Sequence, residues 1–123
     1  MYARAAHAYR DVDLESAAKP DLVTRLFARF LVDLDRARTA IQARDIKGKA
    51  TALDHGVRIV VELRAALDHS AAPELCANLD ALYQFVLDQI VLASAKLSLE
   101  PLDHASNVMT QLRDAFAQVE HAT

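Results

Sequence analysis

Apolar residues recur at three- and four-residue intervals along most of this chain, the period of a helix with one face turned inward. The first stripe is Leu22, Leu26, Phe30, Leu34, Ala37 and Ile41, with Arg25, Arg29, Asp33 and Arg36 lying between its members. It opens at Lys19-Pro20-Asp21, where proline suits a first helical turn and the acid suits the positive end of the helix dipole. That predicts a helix running to about Arg44. Asp45 can cap a second helix, whose stripe Ile46, Ala50, Leu53, Val57, Val60 and Leu67 predicts an end near Asp68-His69. Residues 70–73 form a break. A third stripe follows with Leu75, Leu79, Leu82, Val86, Ile90 and Ala93. The fourth begins after Ser98, places Pro101 in its first turn, and continues through Leu102, Ala105, Met109, Leu112, Phe116 and Val119.

Connections this short force consecutive helices to lie antiparallel, so the predicted fold is all-α, an up-down-up-down four-helix bundle. The 123 residues suffice for one domain, and halves would be too small to bury adequate cores. Residues 19–123 are expected to form the bundle. Residues 1–18 carry no sustained stripe and are expected to be an N-terminal segment packing on it, a short helix covering part of its surface.

Two helices are more apolar than a bundle needs. In the second, Val57, Ile59, Val60, Val61 and Leu63 spread around almost the whole circumference, because helical neighbours point about 100° apart. In the third, Tyr83, Leu87, Val91 and Leu92 widen the stripe beyond one seam. Such surface calls for a cover, supplied by the N-terminal segment or by a partner.

Composition sharpens this picture. Only two glycines and three prolines occur, too few for the turns of a sheet protein, and 53% apolar with 25% charged residues is ordinary globular chemistry. The formal net charge of -3 is small, and the charges are interspersed, so neither nucleic acid nor an anionic membrane is an expected partner. No uninterrupted apolar run approaches the ~20 residues that span a bilayer. A single cysteine, Cys76, and the lack of a charged-then-apolar leader point to the cytoplasm.

Candidate chemistry is thin. His7, His55, His69, His104 and His121 sit on different elements with no Glu-x-x-His pair, so no metal or cofactor is expected. Neighbours such as Asp54-His55 and Asp103-His104 diverge on a helix and cannot act as pairs, which leaves each histidine solvated or locally bonded. Cys76, between Leu75 and Ala77, reads as a buried small hydrophobe lacking a poised base. With no phosphate loop and no nucleophile elbow, the chain is not expected to be an enzyme. The function predicted from the residues alone is binding another protein chain.

Tyr2 and Tyr9 lie outside the predicted bundle, where an amphipathic aromatic either tacks the segment down or anchors an interface. Asn78, an amide among apolar neighbours, either faces solvent or bonds the backbone of a chain laid across it.

Several of these features occur together in the flagellin-specific export chaperones, the FliS family. Met1-Tyr2, Ala8-Tyr9 and Leu14-Glu15-Ser16-Ala17 resemble that family's N-terminal segment. The similarity continues through the Pro20-led helix, Asp45-Ile46, Ile59-Val60-Val61-Glu62-Leu63 and Leu67-Asp68. The most specific stretch is Glu74-Leu75-Cys76-Ala77-Asn78-Leu79 with Leu82-Tyr83-Gln84-Phe85-Val86, and Leu112-Arg113-Asp114-Ala115-Phe116 resembles the closing motif. Where the family usually has a glycine pair before the third long helix, an Asp-Gly in the first and a C-terminal Trp, this chain has Ala71-Ala72-Pro73, Ala28-Arg29 and Phe116.

The resemblance implies a cytoplasmic chaperone that binds the disordered C-terminal segment of flagellin, prevents premature polymerisation and keeps it competent for type III export. It implies a client groove involving Ile59, Leu75, Asn78, Leu79, Leu82, Tyr83 and Val86, with Tyr2 and Tyr9 in a segment that packs near it. It also implies contacts with export-gate components, and the surplus apolar surface allows a homodimer when no client is bound. The alternative is a helical adaptor or regulatory module that recognises a different protein through the same groove.

Overall fold

The computed structural model describes residues 19–122 of the chain, and the side chains of residues 22–117. It contains four helices: α1 (Lys19–Gln42), α2 (Ile46–Ala65), α3 (Pro73–Lys96) and α4 (Glu100–Ala122). Each of α1 and α3 packs against both α2 and α4, so the helices form a closed square in chain order. This is the predicted up-and-down bundle.

Local chemistry explains the corners. Asp45 is the N-cap of α2, accepting a hydrogen bond from the Gly48 N–H at 2.9 Å. A Cβ at Gly48 would make the capping carboxylate of Asp45 shift. Arg44 turns the chain in the left-handed region, φ 56°, and ends α1 two residues before the predicted Arg44 boundary. At the next corner α2 stops at Ala65, short of the predicted Asp68-His69. There Asp68 Oδ1 accepts from the Ser70 hydroxyl at 2.6 Å and from the Ser70 and Ala71 N–H groups, offering the backbone an alternative to helix. Pro73 opens α3, and Leu97 closes it in the left-handed conformation, its N–H donating to the Ala93 carbonyl.

The core is continuous. Phe27, Phe30 and Leu34 of α1 meet Leu102, Met109 and Phe116 of α4, with the Phe27 and Phe116 ring centroids 5.3 Å apart and tilted by 38°. From the other side come Ile59, Val60 and Leu63 of α2 and Cys76, Leu79, Tyr83, Val86 and Ile90 of α3. The predicted stripes of α1, α3 and α4 are largely this core, except that Leu22 is exposed, Leu26, Ile41, Leu75 and Leu82 are half-buried, and the Val119 side chain lies outside the described ones. The α2 stripe is met in part: Leu53, Val60 and Leu67 are buried as predicted. Ile46 and Ala50 face solvent and Val57 is half-buried, while Ala52, Gly56, Ile59 and Leu63 face inward.

Cross-links hold neighbours together. Arg38 of α1 pairs with Asp103 of α4. His55 Nδ1 of α2 lies 2.5 Å from Asp33 Oδ2 of α1. Arg64 of α2 donates to both carboxylate oxygens of Asp80 on α3, at 2.8 and 3.0 Å, and to Gln84 at 2.9 Å. Lys49 Nζ reaches the Ser94 carbonyl of α3 at 3.2 Å. Among the described residues no buried side-chain nitrogen or oxygen is left without a partner.

Among the described residues α3 is the one helix long and apolar enough, by length and composition, to cross a membrane, although charged residues interrupt it. Within the bundle it supplies Cys76, Leu79, Tyr83, Val86, Ile90 and Ala93 to the core, and Asp80 and Asp88 interrupt its outer surface.

Candidate partner-binding site

The surplus apolar residues of α3 emerge on two edges of the helix. Leu75, Asn78, Leu82, Phe85, Gln89 and Leu92 follow one another at spacings of three and four, and so share one face. Leu75, Leu82 and Gln89 are half-buried, while Asn78, Phe85 and Leu92 are exposed. Gln89 Oε1 lies 3.2 Å from His104 Nδ1 of α4, which places this stripe on the α3–α4 edge of the bundle. On the other edge Asp80 and Gln84 meet Arg64 of α2, and Ser94 meets Lys49. Between those polar ends Val91 is 65% exposed, Leu87 is half-buried, and α2 contributes Val61, more than half exposed, while Ile46, also more than half exposed, starts α2 beyond Lys49.

Burial of a large aliphatic or aromatic side chain is worth about 1.5–3 kcal/mol, so Phe85, Leu92, Val91, Val61 and Ile46 leave appreciable stabilisation unrealised in the isolated bundle. Phe85 and Leu92 on the α3–α4 edge, and Val91 with Val61 on the α2–α3 edge, make two apolar surfaces suited to an amphipathic partner segment.

Among the residues assigned to a groove from the sequence, Leu75, Asn78 and Leu82 stand together on the α3–α4 edge. Ile59, Leu79, Tyr83 and Val86 are buried in the interhelical core, because they occupy the inward positions of α2 and α3. A partner reaches these four only if helices part. Tyr2 and Tyr9, and the expected covering role of residues 1–18, lie outside the described residues. Phe85 is the exposed aromatic that sequence reasoning missed. Its signal was its spacing, three residues beyond Leu82 and seven beyond Asn78.

The histidines also differ from expectation. His55 does not stay local, since it crosses to Asp33, whose side chain is only 2% exposed, while Asp54 pairs with Arg58 at 3.0 Å. The signal for this was a carboxylate three residues from Phe30, on the flank of the apolar stripe of α1. Cys76 is buried as expected. Burial first, then the Asp68 charge, pushes its thiol above its ordinary value, and Sγ donates to the Asp68 carbonyl at 3.3 Å. A thiol held protonated in this way is a poor nucleophile. Among the described residues no group of three or more His, Cys, Asp or Glu side chains is arranged to hold a metal ion.

Comparison with known proteins bears on the whole length. The family model described as flagellar protein FliS matches residues 1–123. The chain is 30% identical over 124 residues to the flagellar secretion chaperone FliS of Escherichia coli, covering 96% of this chain and 91% of that protein. It is 30% identical over 126 residues to the flagellar secretion chaperone FliSB of Pseudomonas aeruginosa, covering 98% of this chain and all of that one. The Vibrio cholerae flagellar secretion chaperone FliS is 29% identical over 116 residues.

Proposed function

The chain belongs to the FliS family of flagellar secretion chaperones, and from that premise we propose that it acts in the cytoplasm by binding the C-terminal segment of flagellin, without catalysing a reaction. The observation that carries this reading is the stripe Leu75, Asn78, Leu82, Phe85 and Leu92 along α3, a largely apolar surface that the bundle leaves exposed at Phe85 and Leu92 and half-covered at Leu75 and Leu82. A client segment without structure of its own must lose conformational entropy on docking, and a long apolar face compensates by burying the segment's own apolar side. Occupying that segment stops it from packing against other flagellins, while reversibility leaves it free for export. Asn78, exposed within the stripe, presents an amide that can donate to and accept from client backbone.

Calorimetric titration with a flagellin C-terminal peptide tests the reading. One-to-one binding with a gain of peptide helicity is expected, and Phe85→Asp should weaken it by roughly tenfold or more while leaving the circular dichroism of the bundle unchanged, because Phe85 lies outside the core. No heat of binding at tens of micromolar would sink flagellin as the client.

A further inference from the structure

Both edges of α3 are apolar, yet their charges differ. On the α2–α3 edge Asp80 is neutralised by Arg64, and Lys49, which bonds the Ser94 carbonyl, adds a cation. The α3–α4 edge is acidic. Glu74 stands beside Leu75 and one turn before Asn78, Asp88 lies one turn from both Phe85 and Leu92, and Glu100 lies one turn before His104, whose ring meets Gln89 of the stripe. All three carboxylates are exposed. Among the described residues neither Glu74 nor Asp88 has a cationic partner, and Glu100 has only the His104 ring at 3.9 Å. Gln84 donates to Asp88 at 3.0 Å, which leaves the charge of the carboxylate in place.

The other charges nearby do not offset these. Asp103 and Asp114 of α4 are paired with Arg38 and Arg113. Among the described residues the one cation on this edge is Lys96, at the end of α3, so three formal negative charges stand against one positive. That imbalance selects among occupants. A second copy docking through the same edge would set these acids against their own counterparts, and residues 1–18 hold Asp11, Asp13 and Glu15 against Arg4 and Arg10. Neither complements the edge.

Resting on the reading of this stripe as the client site, we propose that it takes a helical segment whose apolar face is bordered by lysines or arginines, with Glu74, Asp88 and Glu100 as the specificity-determining residues. Asp88 is central, because a lysine stem can lie along Phe85 while its ammonium reaches the carboxylate one turn away. Glu74 and Asp88 are fourteen residues apart. That is about 21 Å along α3, so a client helix needs about four turns, with cations towards both ends, to meet both. The same acids repel segments bordered by carboxylates, which lets a broad apolar stripe reject acidic amphipathic helices.

The test is fluorescence anisotropy on the full chain, at pH 8 and low salt, with two labelled amphipathic peptides of about six turns that share one apolar face. One is bordered by lysines and the other by glutamates, and neither contains flagellin sequence. The lysine-bordered peptide should bind saturably and at least about tenfold more tightly than the other, with the preference shrinking as salt is added. Exposed pairs are individually weak, so the combined variant Glu74→Gln, Asp88→Asn, Glu100→Gln should be needed to lower its affinity by about tenfold. Phe85→Ser should also weaken it, whereas Glu62→Gln, an exposed carboxylate on α2, should leave it unchanged. The proposal is overturned if the two peptides bind equally, if the lysine-bordered one does not bind, if the combined variant keeps the parent's preference, or if the free protein dimerises through this edge and Phe85→Ser separates it. A flagellin C-terminal peptide is titrated alongside. Its failure beside a selective lysine-bordered peptide removes flagellin as the client and leaves this inference standing, while its binding parent and combined variant alike keeps the client and removes the inference.

Discussion

Gly56 shows how closely α1 and α2 approach. A Cβ built there would stand 3.4 and 3.5 Å from ring atoms of Phe30 and 3.7 Å from the Cβ of Asp33, which is ordinary van der Waals contact and not a clash. Two effects compete when a methyl is added. Alanine improves helix propensity by about 1 kcal/mol over glycine in a helix interior, and the contact geometry imposes no offsetting strain. Gly56→Ala should therefore raise stability by roughly 0.5–1 kcal/mol, readable as an increased denaturation midpoint with unchanged slope. A lower midpoint would mean that the Phe30 ring cannot yield even a tenth of an ångström, and that the α1–α2 distance is set by this glycine. Asp33 illustrates the limit of reading residues one at a time. Its place three residues from Phe30 hints at burial, but its bond to His55, twenty-two positions away, is a property of two helices in contact that no spacing within either helix encodes.

At the scale of the element, the stripes of α1 and α4 were legible because each carries polar residues that leave a single arc for the core, and the over-apolar α3 was legible only along Leu79, Val86, Ile90 and Ala93. The Asp45 cap was legible too. The face of α2 was legible only at Leu53, Val60 and Leu67, since Val57, Ile59, Val60, Val61 and Leu63 satisfy the helical period on almost any side. What chooses the face is tertiary: Gly56 admits Phe30, and Lys49 and Arg64 find their acceptors on α3. The same ambiguity explains the site. Sequence patterning located the surplus apolar surface on α2 and α3, yet could not say that Leu79, Tyr83 and Val86 point inward while Phe85, Val91 and Leu92 point out. Leu97 marks a second departure from local preference. It closes α3 at φ 51°, a conformation that costs a non-glycine residue roughly 1–2 kcal/mol, and its side chain is exposed. Leu97→Gly should recover about 0.5–1 kcal/mol after the added unfolded-state entropy of glycine is subtracted, measured by chemical denaturation. A loss of stability would show that the half-exposed Leu97 side chain contributes more to the corner than its backbone strain costs.

For the molecule as a whole, the seam that matters most is α2 against α3, which share the least contact of the four adjoining pairs and carry the exposed valines between them. The polar end of that seam is closed by Arg64, which holds the Asp80 carboxyl below its ordinary value, chiefly through their hydrogen bonds and further through the charge of the guanidinium. A carboxylate whose folded value is depressed adds stability that is present above its unfolded value, about 4, and is lost as the pH falls through the folded one. Both side chains are about a third exposed, so water and salt screen the pair, and its contribution belongs in the range of roughly 0.2–1 kcal/mol. Asp80→Asn should thus lower stability by no more than about 1 kcal/mol at neutral pH. The difference between variant and parent should shrink steadily below about pH 4 and be weakened by added salt. If the seam is the place where the bundle first opens, the same substitution should speed amide hydrogen exchange in α2 and α3 more than in α1 and α4, because only the first pair loses its clamp. Uniform acceleration across all four helices would instead show that the bundle opens only by unfolding as one cooperative unit, with Arg64 and Asp80 contributing to global stability alone.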